Sequence, residues 1–228
     1  MDQPSTGDHP ARSRGSERLL SFSDAVVAIA ATLLVLPLVE IAPRATVPDI
    51  GQLLGDNRAT LLAFILSFVV IYRFWLVHHR VFGSAEQVSG ALVWLNGLWL
   101  LSIVFLPFPT QLIGAPGTTD NKGIWGLYIG TLLVASATLS ASLWLIRRTW
   151  PPAVRDVPHP DIWVRGVPVG LGRILVMTLG LAVAFVLAVT VRGAGPWALL
   201  LLIPAGASQR LFGLLGPVAN VLRRPGRR

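Results

Sequence analysis

The stretch RLLSFSDAVVAIAATLLVL, residues 18–36, decides how the chain folds. Arg18 and Asp24 bracket its entry, and from Ala25 to Leu36 only Thr32 interrupts an apolar run. A helix that crosses a bilayer needs about 20 mostly apolar residues, and counted over residues 22–42 this run is long enough. Ser21 or Ser23 can cap such a helix, and the helix dipole favours an anion in the first turn, so Asp24 has the position of a cap. It equally has the position of an acid carried into the membrane, which is a functional one by default. Farther along, Ile29, Leu33 and Leu36 are spaced four and three apart and share one helix face. They span about 10 Å at 1.5 Å per residue. Thr32 lies beside that stripe. Ala25, Ala28, Ala30 and Ala31 keep the remaining surface small, which lets neighbouring helices approach closely. Periodicity alone makes the stripe an ordinary packing or lipid-facing one, with Leu34 on an exposed face away from it.

Outward from this helix, the same length criterion picks out five more apolar segments, at residues 60–79, 91–113, 123–146, 169–191 and 196–215. The expected fold is an all-α integral membrane protein of six transmembrane helices. Composition agrees: 53% of residues are hydrophobic and 13% charged, where a soluble domain has about 25% charged and under 50% apolar. Residues 1–17 are polar without apolar periodicity and are expected to form a disordered cytoplasmic tail. Residues 18–215 hold the membrane domain, and 216–228 form a basic cytoplasmic tail. Pro151, Pro152, Pro158 and Pro160 mark a loop at 147–167 that splits the helices four plus two. Pro107 and Pro109 should end or kink the third helix, and Pro204 the sixth. A cleaved signal peptide would end near Pro43-Arg44-Ala45, but the run is long and contains Asp24 and Thr32, so a retained helix is expected.

There is no cysteine, which excludes disulfides, zinc thiolates and thiol nucleophiles. The net charge of +8 would suggest nucleic acid as partner for a soluble chain. Here no basic, aromatic-bearing soluble module is present, so no nucleic acid is expected. The charge belongs instead on the cytoplasmic face, against anionic membrane lipid. With a cytoplasmic N-terminus and six crossings, only Arg44, Arg58, Lys122 and Arg192 fall outside, and the other fifteen of the 19 basic residues fall inside. This asymmetry implies a multi-pass protein of the cell membrane with both termini in the cytoplasm.

Several motifs share one pattern. Arg18, Phe22, Ser23 and Asp24 form R-x-x-x-F-S-D at the head of a helix reading A-I-x-x-T-L-L-V-L. Trp75-Leu76-Val77-His78-His79-Arg80 closes the second apolar segment, and Leu95-Asn96 with Phe105-Leu106-Pro107-Phe108 marks the third. Over residues 18–110 this resembles the transmembrane-protein-175 family of endolysosomal and prokaryotic potassium channels, in its prokaryotic single-repeat form. The resemblance implies a homotetramer with four copies of helix one around a potassium-conducting pore. It places the hydrophobic constriction at Ile29, with further layers at Leu33 and Leu36, and the polar pore position at Thr32. Ala28 stands where some relatives carry a hydroxyl. The only ligand implied is the permeant potassium ion, with no cofactor.

Topology adds a check of its own. Helix one enters from the cytoplasm at Asp24, helix two leaves there at His78, and helix three enters near Asn96. Unpaired polar groups are costly in lipid, so Arg18, Ser23, Asp24, His78 and Asn96, beside Phe22 of the same motif, are expected to form one network that fixes helix one. His79 is expected to be a solvated interfacial side chain. Adjacent histidines do not make a metal site without further ligands on the same face, and no metal is expected. No nucleophile or complete ligand set accompanies them, so no catalytic residue is assigned and the chain is not expected to be an enzyme. A secondary transporter of a cation or small solute is the alternative; against it stand the absence of an evident internal repeat and of broken midplane helices.

The charge asymmetry makes a testable statement. Accessibility labelling at residues 5 and 226 in intact cells should fail at both sites and succeed after permeabilisation. Labelling of either site from outside contradicts the assigned topology.

Overall fold

The computed structural model describes residues 14–41, 50–85, 88–118, 120–149, 171–191 and 193–198. Within these, the chain is helical with no strand: α1 (Arg14–Leu33), α2 (Leu36–Ile41), α3 (Ile50–Asp56), α4 (Arg58–Gly83), α5 (Gly90–Phe105), α6 (Pro107–Gly114), α7 (Lys122–Thr149), α8 (Leu171–Thr190) and α9 (Ala194–Ala198). Four helical stretches among the described residues are long and apolar enough to cross a membrane: Gly15–Ile41, Arg58–Gly83, Gly90–Gly114 and Lys122–Thr149. They coincide with the first four expected segments. The fifth is a shorter apolar helix, Ile174–Thr190. Of the expected sixth, only its beginning falls in α9, and the rest, with Pro204 and the basic tail at 216–228, lies outside the described residues. Most of the expected loop at 147–167 and residues 1–13 of the expected tail lie outside them too.

Two local expectations need correcting. Helix one begins at Arg14, so residues 14–17 belong to it rather than to a tail, with Glu17 as the first-turn acid. Ser21 and Ser23 therefore sit inside the helix and cap nothing. Their hydroxyls donate back to the carbonyls of Glu17 at 3.0 Å and Leu19 at 2.8 Å, the usual resort of a serine in a helix interior. Asp24 accordingly lies well past the first turn, which removes its role as a cap.

Proline sets the breaks. Pro37 has no N–H for the carbonyl of Leu33, and the first span breaks at Leu34 and Val35 before resuming as α2. Pro107 has the same effect on the third span, which steps from α5 to α6 at Leu106. At its other end α5 is capped by Ser89, whose hydroxyl accepts from the Leu92 N–H at 3.3 Å.

The core lies between α4, α5, α6, α7 and α8, with Phe74, Trp99, Ile103, Tyr128, Leu132, Leu139 and Leu181 among its buried side chains. Small and hydroxylated residues bring the helices close. A Cβ added at Gly126 would stand 2.8 Å from Val189 Cγ1, so only glycine lets α7 meet α8 there. Thr178 on α8 bonds both Ser136 and Ser140 of α7, at 2.7 and 2.9 Å. Thr110 of α6 donates to Ser67 of α4 at 2.8 Å, and Ser67 lies 3.1 Å from the Tyr128 hydroxyl of α7. These hydroxyls facing another helix each have a partner, as burial away from water demands. Against this scaffold α1 packs on α4 and α5.

Candidate functional site: the first helix and its anchorage

Helix α1 has two faces. Ser16, Leu20, Ser23, Val27, Ala30 and Leu34 are buried, at spacings of four, three, four, three and four. This seam turns toward α4 and α5. On the other side Phe22, Ile29, Leu33 and Leu36 are exposed, Ile29 by 61%, together with Ala25, Ala28 and Thr32. The residues expected to face a pore thus share the side that the subunit leaves uncovered, although Leu36 lies beyond the break. Leu34 is only 2% exposed. Its expected place on an exposed face is wrong, because the three-four seam that holds Val27 and Ala30 runs on through it. The Thr32 hydroxyl donates to the Ile29 carbonyl at 2.7 Å.

The expected single polar network divides in two. The first part is fully buried. Asn96 on α5 presents Oδ1 to His78 Nε2 at 2.6 Å and donates through Nδ2 to Ser23 Oγ at 3.0 Å. Ser23 passes its own proton to the Leu19 carbonyl. Because Asn96 Oδ1 can only accept, His78 carries its proton on Nε2. The imidazole is sandwiched by Trp99, stacked at 3.8 Å, and Phe82, at 4.4 Å. One asparagine therefore joins α1, α4 and α5.

The second part is half-exposed. Asp24 Oδ1 accepts from Trp75 Nε1 at 2.7 Å and lies 3.7 Å from His79 Nδ1. Asp24 bonds neither His78 nor Asn96, and among the described residues it pairs with His79 rather than Arg18, whose side chain is exposed. His79 is thus a close neighbour of Asp24 and not merely an interfacial side chain. The reason is angular. Successive helix residues point about 100° apart, so Ser23 and His78 meet in one sector while their neighbours Asp24 and His79 meet in the next. Sequence reasoning missed Trp75, which is four residues before His79 on the same face and holds Asp24, and it missed the stack of Trp99 on His78. No group of three or more metal-ligating side chains occurs among the described residues.

Comparison with known proteins gives this geometry its context. Residues 18–107 match the profile of the endosomal/lysosomal potassium channel TMEM175. A potassium channel of Streptomyces collinus is 31% identical over 171 residues, covering 73% of this chain and 82% of the relative. This chain belongs to the TMEM175 family. A potassium channel of Chamaesiphon minutus is 39% identical over 98 residues, 42% of this chain and 48% of that protein. The human endosomal/lysosomal proton channel TMEM175 is 32% identical over 100 residues, 43% of this chain and 19% of its own much longer one. Among solved structures, a lysosomal potassium-selective channel TMEM175 homologue from Chamaesiphon minutus superposes with a TM-score of 0.55 at 25% identity, over 84% of this chain and 98% of that one. The family is one of membrane ion channels, not of enzymes, and the all-helical fold is shared with it.

The divided network predicts which substitution unfolds the anchorage. Asn96→Leu strands a buried His78 N–H and should cost about 1–3 kcal/mol, the penalty of an unsatisfied buried group. Asp24→Asn keeps an acceptor for Trp75 and should lower stability far less. Thermal unfolding of both variants in detergent, followed by tryptophan fluorescence, separates them; equal losses contradict the division.

Proposed function

We propose that the chain is a potassium-selective channel in which four copies of α1 surround a pore and ions pass passively through an apolar constriction. The observation that carries this reading is the two-faced α1: a buried seam anchored through Ser23, and an uncovered stripe bearing Ile29, Leu33 and Leu36. Membership of a family whose bacterial members are named potassium channels supports the choice of ion. In this reading the domain up to residue 215 has six membrane helices in the cell membrane, the residues before α1 and the tail at 216–228 lie in the cytoplasm, and the partners are potassium ions, membrane lipid and three further copies of the chain.

The chain has no T-V-G-Y-G-like loop, so selection by rings of backbone carbonyls is not the device. Rings of Ile29, Leu33 and Leu36 would offer only methyl groups, and an ion must shed part of its water to pass. Sodium holds water more tightly than potassium and meets the higher barrier. Thr32 supplies partial compensation. Its hydroxyl proton is engaged by the Ile29 carbonyl, so the oxygen offers its lone pairs to a cation. Ser23, His78 and Asn96 act by holding α1 through their buried bonds, and Asp24 through Trp75, rather than by touching the ion, whereas Arg18 and Phe22 are exposed and make no such bond among the described residues.

Replacing Ile29 with Asn puts amides into the narrowest ring, where they hydrogen-bond water. The expected result in planar bilayers is larger sodium current and a smaller potassium preference, read as reversal potentials under bi-ionic potassium and sodium. Leu179→Asn, at an exposed position of α8, a helix that packs chiefly on α7, should leave the reversal potential unchanged. Wild-type selectivity in Ile29→Asn shows that the ring has been placed on the wrong face.

A further inference from the structure

Beside the anchorage, between α1 and α4, lies a cavity of about 270 Å³. It is distinct from the stripe of Ile29 and Leu33, neither of which lines it. Asp24 stands at one end; Phe68, Tyr72 and Trp75 make an aromatic wall; Ala28 and Ala31 leave the opposite wall low. Trp75 Nε1 and His79 Nδ1 both address Oδ1 of Asp24, and Oδ2 accepts no hydrogen bond from any described residue. Tyr72 and Trp75 are tilted with ring centroids 5.7 Å apart, and His79 lies 5.8 Å from Trp75.

We propose that this cavity is a binding site for a small amphipathic amine, a protonated ammonium on an aromatic or compact apolar body. A carboxylate with one uncommitted oxygen supplies a charge-assisted hydrogen bond to the ammonium. The faces of Tyr72 and Trp75 attract the same positive charge through their quadrupoles. The apolar remainder accommodates the body: taking about 30 Å³ per water-sized group, the volume holds about nine such groups, the size of phenethylammonium and much less than a phospholipid. An anion is disfavoured by Asp24, and a bare metal cation would leave the apolar volume unused. Occupancy inserts a wedge between α1 and α4, so such an amine would bear directly on the position of α1.

The test uses the purified full-length chain in phosphatidylcholine nanodiscs, with phenethylammonium as the probe and titration calorimetry and ligand-observed NMR as readouts. Saturable binding is expected. Asp24→Asn should weaken it by about ten- to a hundredfold, the equivalent of one hydrogen bond to a charged group. Ala28→Leu, which fills the cavity and leaves the charge of the carboxylate in place, should abolish it while circular dichroism stays unchanged. The neutral analogue 2-phenylethanol should not bind. Equal binding of probe and neutral analogue, or binding unaffected by Ala28→Leu, overturns the proposal. So does absence of binding to the wild type, whether because a second copy covers the cavity or because no amine is accepted. Loss of binding when phosphatidylethanolamine is added to the nanodiscs would assign the site to a lipid amine and also overturn it.

Discussion

Placing the side-chain amide of Asn96 between three membrane helices imposes a condition on everything around it. Asn96, Ser23 and His78 are buried inside the subunit, where an amide left without partners is costly. The amide meets the condition by taking the His78 N–H on its oxygen and giving its own N–H to Ser23. Neither bond survives a rotation of α1 or α4 about its axis, because the next residue in either helix points about 100° away. Trp99 and Phe82 close on the imidazole from both sides and exclude rearrangement of the ring. The azimuth of α1 is therefore fixed at one point, and the rest of the helix is oriented by it.

A single bond thereby sets both faces of one helix. Once Ser23 faces inward, Val27, Ala30 and Leu34 must face inward too, and Ile29, Thr32 and Leu33 must face out. The stripe read as a pore lining is thus positioned by a hydrogen bond on the opposite side of the helix and nearer its start. Pro37 ends this rigid relation by breaking the helix after Leu33, so Leu36 is less tightly coupled to the anchor than Ile29. The aspartate of the same motif takes no part in the buried clasp. It is held by Trp75 at the edge of a lateral cavity, where its remaining oxygen is uncommitted.

Much of this is legible in the residues. Apolar length locates the first four spans to within several residues at each end, since that signal is strong and one-dimensional. Helix topology alone brings Ser23, Asp24, His78 and Asn96 to one level, and their contacts agree. Depth, however, carries no angle. Ser23 and Asp24, like His78 and His79, are neighbours at nearly equal height, and only the packed seam decides which pair turns inward. The same gap explains Leu34, whose place on the seam depends on where the three-four repeat begins. The start of α1 escapes sequence reasoning for another reason: serine is favoured at helix caps, yet here both serines bond back one turn within the helix.

The central claim is that the Ser23 anchor presents the Ile29 face of α1 to the ion pathway. The chain contains no cysteine, so single cysteines along α1 can be probed without background. In bilayer recordings, a small cationic thiol reagent applied in water should reduce current through Ile29→Cys, Thr32→Cys and Leu33→Cys, and leave Val27→Cys and Ala30→Cys untouched. Block at Val27→Cys and Ala30→Cys with none at Ile29→Cys would contradict the account, because the ion pathway would then run along the face that the Asn96 clasp holds against the subunit.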